Sequence, residues 1–188
     1  MKNRILISVA LFMSVLFCAT PAFAIVNVLP TGQDQDGLSG KIGTSLSWRT
    51  GNTNLLQLEG SANASYHTGA HGLFFKALVT YGEKSDDVYI AKTFEHLRYR
   101  YALLDWLSTE ALVQHQYDMF KMLKFRALFG LGIAANWQPF DALNAVFGTT
   151  YLLEREVEGE DIAITLSRFS EFEHRWSNYL QVAWELTE

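Results

Sequence analysis

Apolar and polar residues alternate along most of this chain with a period of two. In residues 56–66, Leu56, Leu58, Gly60, Ala62, Ala64 and Tyr66 share one parity, and Gln57, Glu59, Ser61, Asn63 and Ser65 share the other. Successive side chains of a strand point to opposite faces, so this pattern predicts a β-strand with one apolar and one polar face. Further runs are expected at about 37–48, from 72 to 81, at 88–103, 106–117, 124–137 and 143–153, and over 162–186. The last is expected as one long strand or a strand with an extended external arm. These runs exceed the roughly five or six residues of an average strand. They match the about 9–11 residues that a tilted strand needs to cross a bilayer. The expected fold is all-β: an antiparallel up-and-down transmembrane β-barrel of about eight strands, with apolar residues toward lipid and polar residues toward the lumen.

The connections support that order. Short turns are expected at 67–71, 103–106 and 138–141, and longer or more charged loops at 82–87, 118–123 and 154–161, with a short external loop at 49–53. Bacterial barrels place short turns in the periplasm and longer loops outside. Trp48, Tyr66, Tyr81, Tyr101, Trp106, Tyr117, Trp137, Tyr151 and Trp184 lie near strand ends. There an apolar ring with a polar tip suits a membrane interface.

The N-terminus reads as a cleavable signal peptide over 1–24. Lys2 and Arg4 precede an apolar run over 5–17, and Ala22-Phe23-Ala24 supplies the small-x-small cleavage pattern. The alternative, an N-terminal membrane anchor, is opposed by a run shorter than the ~20 residues of a span. Residues 25–36, with Pro30 and Gly32, form a periplasmic lead-in, and 37–188 form the barrel domain. Cys18, the single cysteine, falls in the removed segment and follows Phe17, which does not suit a lipobox. The 188-residue chain is 49% hydrophobic and 14% aromatic, yet its mean hydropathy is near zero. Polar lumen residues that cancel lipid-facing ones explain both. A net charge of −5 gives no basic face for nucleic acid.

With the apolar parity toward lipid, the lumen receives Glu59, Lys76, His96, Arg98, Arg100, Glu110, Lys124 and Arg126, together with Gln57, Gln114 and Gln116. In a narrow eight-stranded barrel these charges form a hydrogen-bonded plug, with Glu59 and Glu110 as partners of Arg98, Arg100 and Arg126. In a wider barrel Arg98, Arg100, Lys124 and Arg126 make a basic wall that favours anions. One phase conflict stands out. Glu95 shares the lipid parity of Leu97 and Tyr99, so either upper strand four lies outside the membrane or a bulge shifts its phase. Hydrolysis would want a serine or threonine activated by a histidine that a third polar group orients. His67 and His71 flank a turn. His115 lies on the lipid parity near the outer interface, but no serine is placed beside it and Ser108 lies at the far end of its strand. No catalytic residue, metal site or cofactor is expected. A lipid-modifying enzyme and a soluble periplasmic barrel with its apolar face inside remain the other readings.

Several strings carry a resemblance. Arg49-Thr50-Gly51-Asn52-Thr53-Asn54, Thr80-Tyr81-Gly82-Glu83-Lys84-Ser85-Asp86-Asp87, Phe94-Glu95-His96-Leu97-Arg98-Tyr99, Leu104-Asp105-Trp106-Leu107-Ser108 and Gln114-His115-Gln116-Tyr117-Asp118 follow one another in order. Together they resemble the YdiY-like family of salt-induced outer-membrane proteins, from about residue 37 onward. The resemblance implies a Gram-negative outer-membrane barrel, with lipid and the barrel-assembly machinery as partners, and no particular activity, ligand or oligomeric state. Family members continue through several more strands, whereas here the last aromatic, Trp184, is followed by Glu185-Leu186-Thr187-Glu188. The expectation is a chain truncated at its C-terminus relative to its family, or a natural short form. Eight strands can close a barrel; an early stop leaves two unpaired edges in lipid.

Overall fold

The computed structural model describes residues 36–85, 87–140, 142–158 and 172–184. The expected signal peptide, residues 25–35 of the lead-in, residues 159–171 and residues 185–188 lie outside the described residues. Eight strands appear among those described. They are β1 (Gly37–Arg49), β2 (Leu55–Thr68), β3 (His71–Lys84), β4 (Asp87–Leu104), β5 (Leu107–Asp118), β6 (Leu123–Phe140), β7 (Leu143–Glu158) and β8 (Glu173–Trp184). They form one antiparallel up-and-down sheet in sequence order. The alternation explains the register. Leu58 of β2 faces Tyr81 of β3, and Glu59 faces Thr80, so apolar meets apolar on one face and polar meets polar on the other.

Two-residue turns join β2 to β3 and β4 to β5. At the first, Gly69 takes a φ of 54°, a left-handed conformation that glycine adopts without a Cβ clash. Two expected loops are largely strand. The 82–87 stretch is strand through Lys84 and again from Asp87, because Glu83 pairs with Val88 and Lys84 with Asp87 past a bulge. The acidic 154–161 stretch is strand through Glu158, because β7 continues along β6 until Glu158 meets Leu123. The expected contrast between long and short connections is therefore weaker than the sequence suggests.

The sheet coils on itself. Tyr179 of β8 donates a 2.8 Å hydrogen bond to Glu110 Oε2 on β5, three strands away. Its edges are β1 and β8, and no pairing joins them among the described residues, so the closed barrel expected from the sequence is not formed by backbone pairing. Coiling is easiest along β6 and β7, where the inner face carries Gly130, Gly132 and Gly148. A Cβ on Gly148 would lie 2.2 Å from the Tyr179 ring. All buried side chains among the described residues belong to β4–β8. On the inner face they mix an apolar cluster, Leu112, Leu128 and Leu152, with His96, Arg98, Glu110, Gln114, Thr150 and Glu154. The outer face is the reverse. Leu131 is 71% exposed, Leu180 67% and Phe129 50%.

Candidate functional site: a filled interior between two cavities

The inner-face parity of each strand converges on two ionic clusters. The first lies on β4, β5 and β8. The Glu110 side chain is fully buried. Its Oε1 accepts from Arg100 Nε at 2.9 Å and from Arg100 Nη2 at 2.6 Å. Its Oε2 accepts from Tyr179 at 2.8 Å and from Arg98 Nη1 at 3.5 Å. The Arg98 guanidinium also lies 5.5 Å from the Tyr179 ring centroid, within cation–π range. One carboxylate thus serves two guanidiniums and a phenol, the arrangement a buried charge requires. Arg100 and Glu110 are direct cross-strand partners, which fixes their approach.

The second cluster lies on β6, β7 and β8. Glu154, 1% exposed, accepts from Arg126 Nε at 2.5 Å, and its other oxygen lies 2.8 Å from Arg175 Nε. Glu156 lies 3.3 Å from Arg126, and Glu173 2.7 Å from Arg175. The Leu112–Leu128–Leu152 cluster packs on the same inner face of β5–β7. His96 is buried near Phe74 and Phe94, with ring centroids 6.5 and 6.3 Å away, and its Nδ1 lies 3.1 Å from Gln114 Oε1. That amide oxygen accepts, so Nδ1 is the donor in this contact.

Of the residues expected in a lumen network, His96, Arg98, Arg100, Glu110 and Arg126 enter these contacts. Glu59 does not join the arginines. It accepts from Gln57 Nε2 at 2.8 Å, on a strand that bears no buried side chain. Lys124 is also displaced from its expected place. A bulge between Leu123 and Phe125 puts Leu123 on the inner face and leaves Lys124 exposed. Lys76 lines the interior without an ion pair among the described residues. Arg98, Arg100 and Arg126 are neutralised by carboxylates and do not form an unbroken basic wall. Glu154 and Tyr179 are the members that sequence reasoning missed. Glu154 was hidden in an acidic run that resembled a loop, and Tyr179 among aromatics that suit an interface. The parity of Leu152 and Ser177 carries both inward.

Two cavities flank the filled layer. One, of about 990 Å³, lies toward the β1–β2 and β5–β6 loops and is bounded by residues from Gly43 on β1 to Arg175 on β8. The other, of about 800 Å³, lies toward the β2–β3 and β4–β5 turns.

The outer face resolves the phase conflict at Glu95. β4 pairs with β5 without a bulge between Lys92 and Ala102, and Glu95 points outward beside its partner His115. Glu95 Oε2 accepts from His115 Nδ1 at 2.7 Å, and the Phe125 ring lies 5.2 Å from the imidazole. Among the described residues no hydroxyl is recorded bonding to this pair. Tyr151 and His174 bond to each other on the same face of β7 and β8. Near the turns, His71 Nδ1 lies 2.7 Å from the Tyr99 hydroxyl, and His67 Nδ1 lies 3.0 Å from Asp36. Among the described residues no three His, Cys, Asp or Glu side chains come together as metal ligands.

No match to this chain is found among curated proteins or among solved structures. A family model described as a protein of unknown function, DUF481, matches residues 42–186. The chain, an all-β antiparallel meander with a charged and filled inner face, therefore belongs to the DUF481 family.

Proposed function

We propose that this chain is an outer-membrane β-barrel protein of structural or envelope-stress type, with a filled interior and no catalytic role. The observation that carries the reading is the inversion of polarity between faces. Charges and amides are buried inside, while Leu131, Leu180 and Phe129 stand exposed outside. Water penalises so large an apolar surface, and lipid does not. Strands of 12–18 residues are long enough to cross a bilayer when tilted. Near one end of the sheet, Tyr66, Tyr99, Tyr101, Trp106, Trp137 and Trp184 are exposed, as an interfacial belt requires. The family match is compatible with this location, and the YdiY-like strings support the link to salt stress.

On this reading β1 and β8 pair in the membrane, because unpaired backbone groups in hydrocarbon cost several kcal/mol each. The soluble alternative would need the apolar face inside, opposite to the burial seen here. A lipid-acting enzyme could use His115, but its recorded side-chain partner is the Glu95 carboxylate and not a hydroxyl.

The test combines three measurements. The protein should fractionate with outer membranes. It should run as a compact, heat-modifiable species in unboiled gels. In planar bilayers it should show little or no steady conductance, because neutralised side chains occupy the interior. A soluble periplasmic protein without heat-modifiable mobility would end this reading.

A further inference from the structure

The two cavities meet at one side chain. Lys76 of β3 is the one described residue that lines both the 990 Å³ and the 800 Å³ cavity. The reason lies in the lopsided filling of the interior. The buried side chains come from β4–β8, and β1–β3 contribute none. At the level of Lys76 the wall of β1 and β2 is polar. Asn63 is the direct partner of Lys76 on β2, Lys41 on β1 pairs with Asn63, and Gly43 pairs with Ser61 one step further along the same face, while Phe74 and Leu78 flank Lys76 on β3. Lys76 is half-buried, carries no ion pair among the described residues, and faces His96 across the β3–β4 ladder.

The geometry points to Lys76 as the gate of a narrow path for small inorganic anions, such as chloride, along the β1–β3 wall. The inference rests on the membrane-spanning reading above. A flexible four-carbon stem can block a gap beside small neighbours, and its ammonium biases whatever passes toward anions. The ionic clusters do not share this role, because their charges are already paired.

Planar-bilayer recordings in potassium chloride test it, on protein shown to be folded by heat-modifiable mobility. The wild-type protein should be nearly silent. Lys76→Ala should raise steady conductance about tenfold or more by removing the obstruction. Lys76→Glu should give cation-biased currents. Lys92→Ala, in the 990 Å³ cavity alone, should stay silent. In proteoliposomes, a charged thiol reagent should reach Lys76→Cys from either side. It should reach Ser45→Cys and Asn63→Cys from opposite sides. Folded Lys76→Ala protein as silent as wild type, or Lys76→Cys reachable from one side only, would overturn the gate and leave the filled-interior reading standing. A steadily conducting wild type would instead overturn the filled interior. The gate would then stand if Lys76→Glu reverses the ion preference, and fall if it does not. Should Lys76→Ala fail to fold, Lys76→Gln takes its place.

Discussion

At the scale of single residues, Glu110 has the largest electrostatic responsibility. Its carboxylate is the shared partner of Arg98, itself 3% exposed, and Arg100. Glu110→Gln leaves buried positive charge without its counter-ion, and we expect a loss of about 3–5 kcal/mol. Urea-dependent unfolding followed by heat-modifiable mobility measures this. Adding Arg98→Gln should recover part of the loss, because the two side chains belong to one network. Gly148 is limited by space. Any Cβ there meets the Tyr179 ring, so Gly148→Ala should displace the ring and cost about 1–3 kcal/mol. The sequence made Glu110, Arg98 and Arg100 legible through parity alone, because cross-strand neighbours on one face must meet. It misplaced Glu59, since parity gives the face and not the partner across the interior. It missed Glu154, since a run of acidic residues resembles a solvated loop until its opposing arginines are known.

At the scale of strands, alternation was the reliable guide. Each described strand contains or overlaps the run expected for it, and the mismatches sit at ends, where turn chemistry competes with pairing. The bulge at Leu123/Phe125 could not be read from pattern, because it sits at the first residue of β6 and no alternation precedes it to reveal the change of phase. The two faces should respond differently to charge. Phe129→Arg or Ala77→Arg, on the outer face, should cost about 2–4 kcal/mol of folding stability in lipid. Gly130→Arg should fail by collision with Leu152 and Leu112, in lipid and in detergent alike. Folding titrations in lipid vesicles distinguish the two. Harmless charges at Phe129 and Ala77 would mean that the outer face does not meet hydrocarbon.

At the scale of the whole molecule, all strand pairing among the described residues is between sequence neighbours, so successive connections alternate between the two ends of the sheet. One end holds the turns at Gly69 and Asp105, and the other holds the β5–β6 loop. In a Cys18→Ala background, Phe120→Cys, 83% exposed in that loop, should label on intact cells. Ala70→Cys should label only after permeabilisation. Equal labelling of both would reverse or abolish the orientation.

The Tyr179–Glu110 bond joins positions 69 residues apart, whereas each ladder links adjacent strands. A chain that zips hairpin by hairpin defers its loop-closure entropy to the final meeting of first and last strands, and that cost grows only slowly with length. The Tyr179 bond holds β8 over β5 while β1 and β8 are both unpaired edges of the described sheet, so on the membrane-spanning reading it should meet part of that cost before the edges join. In Tyr179→Phe the hairpins should form as fast as before, while the compact species should appear more slowly in refolding time courses. The phenol is then a timing device as well as a hydrogen-bond donor, because it shortens the interval during which two bare strand edges could pair with another copy of the chain.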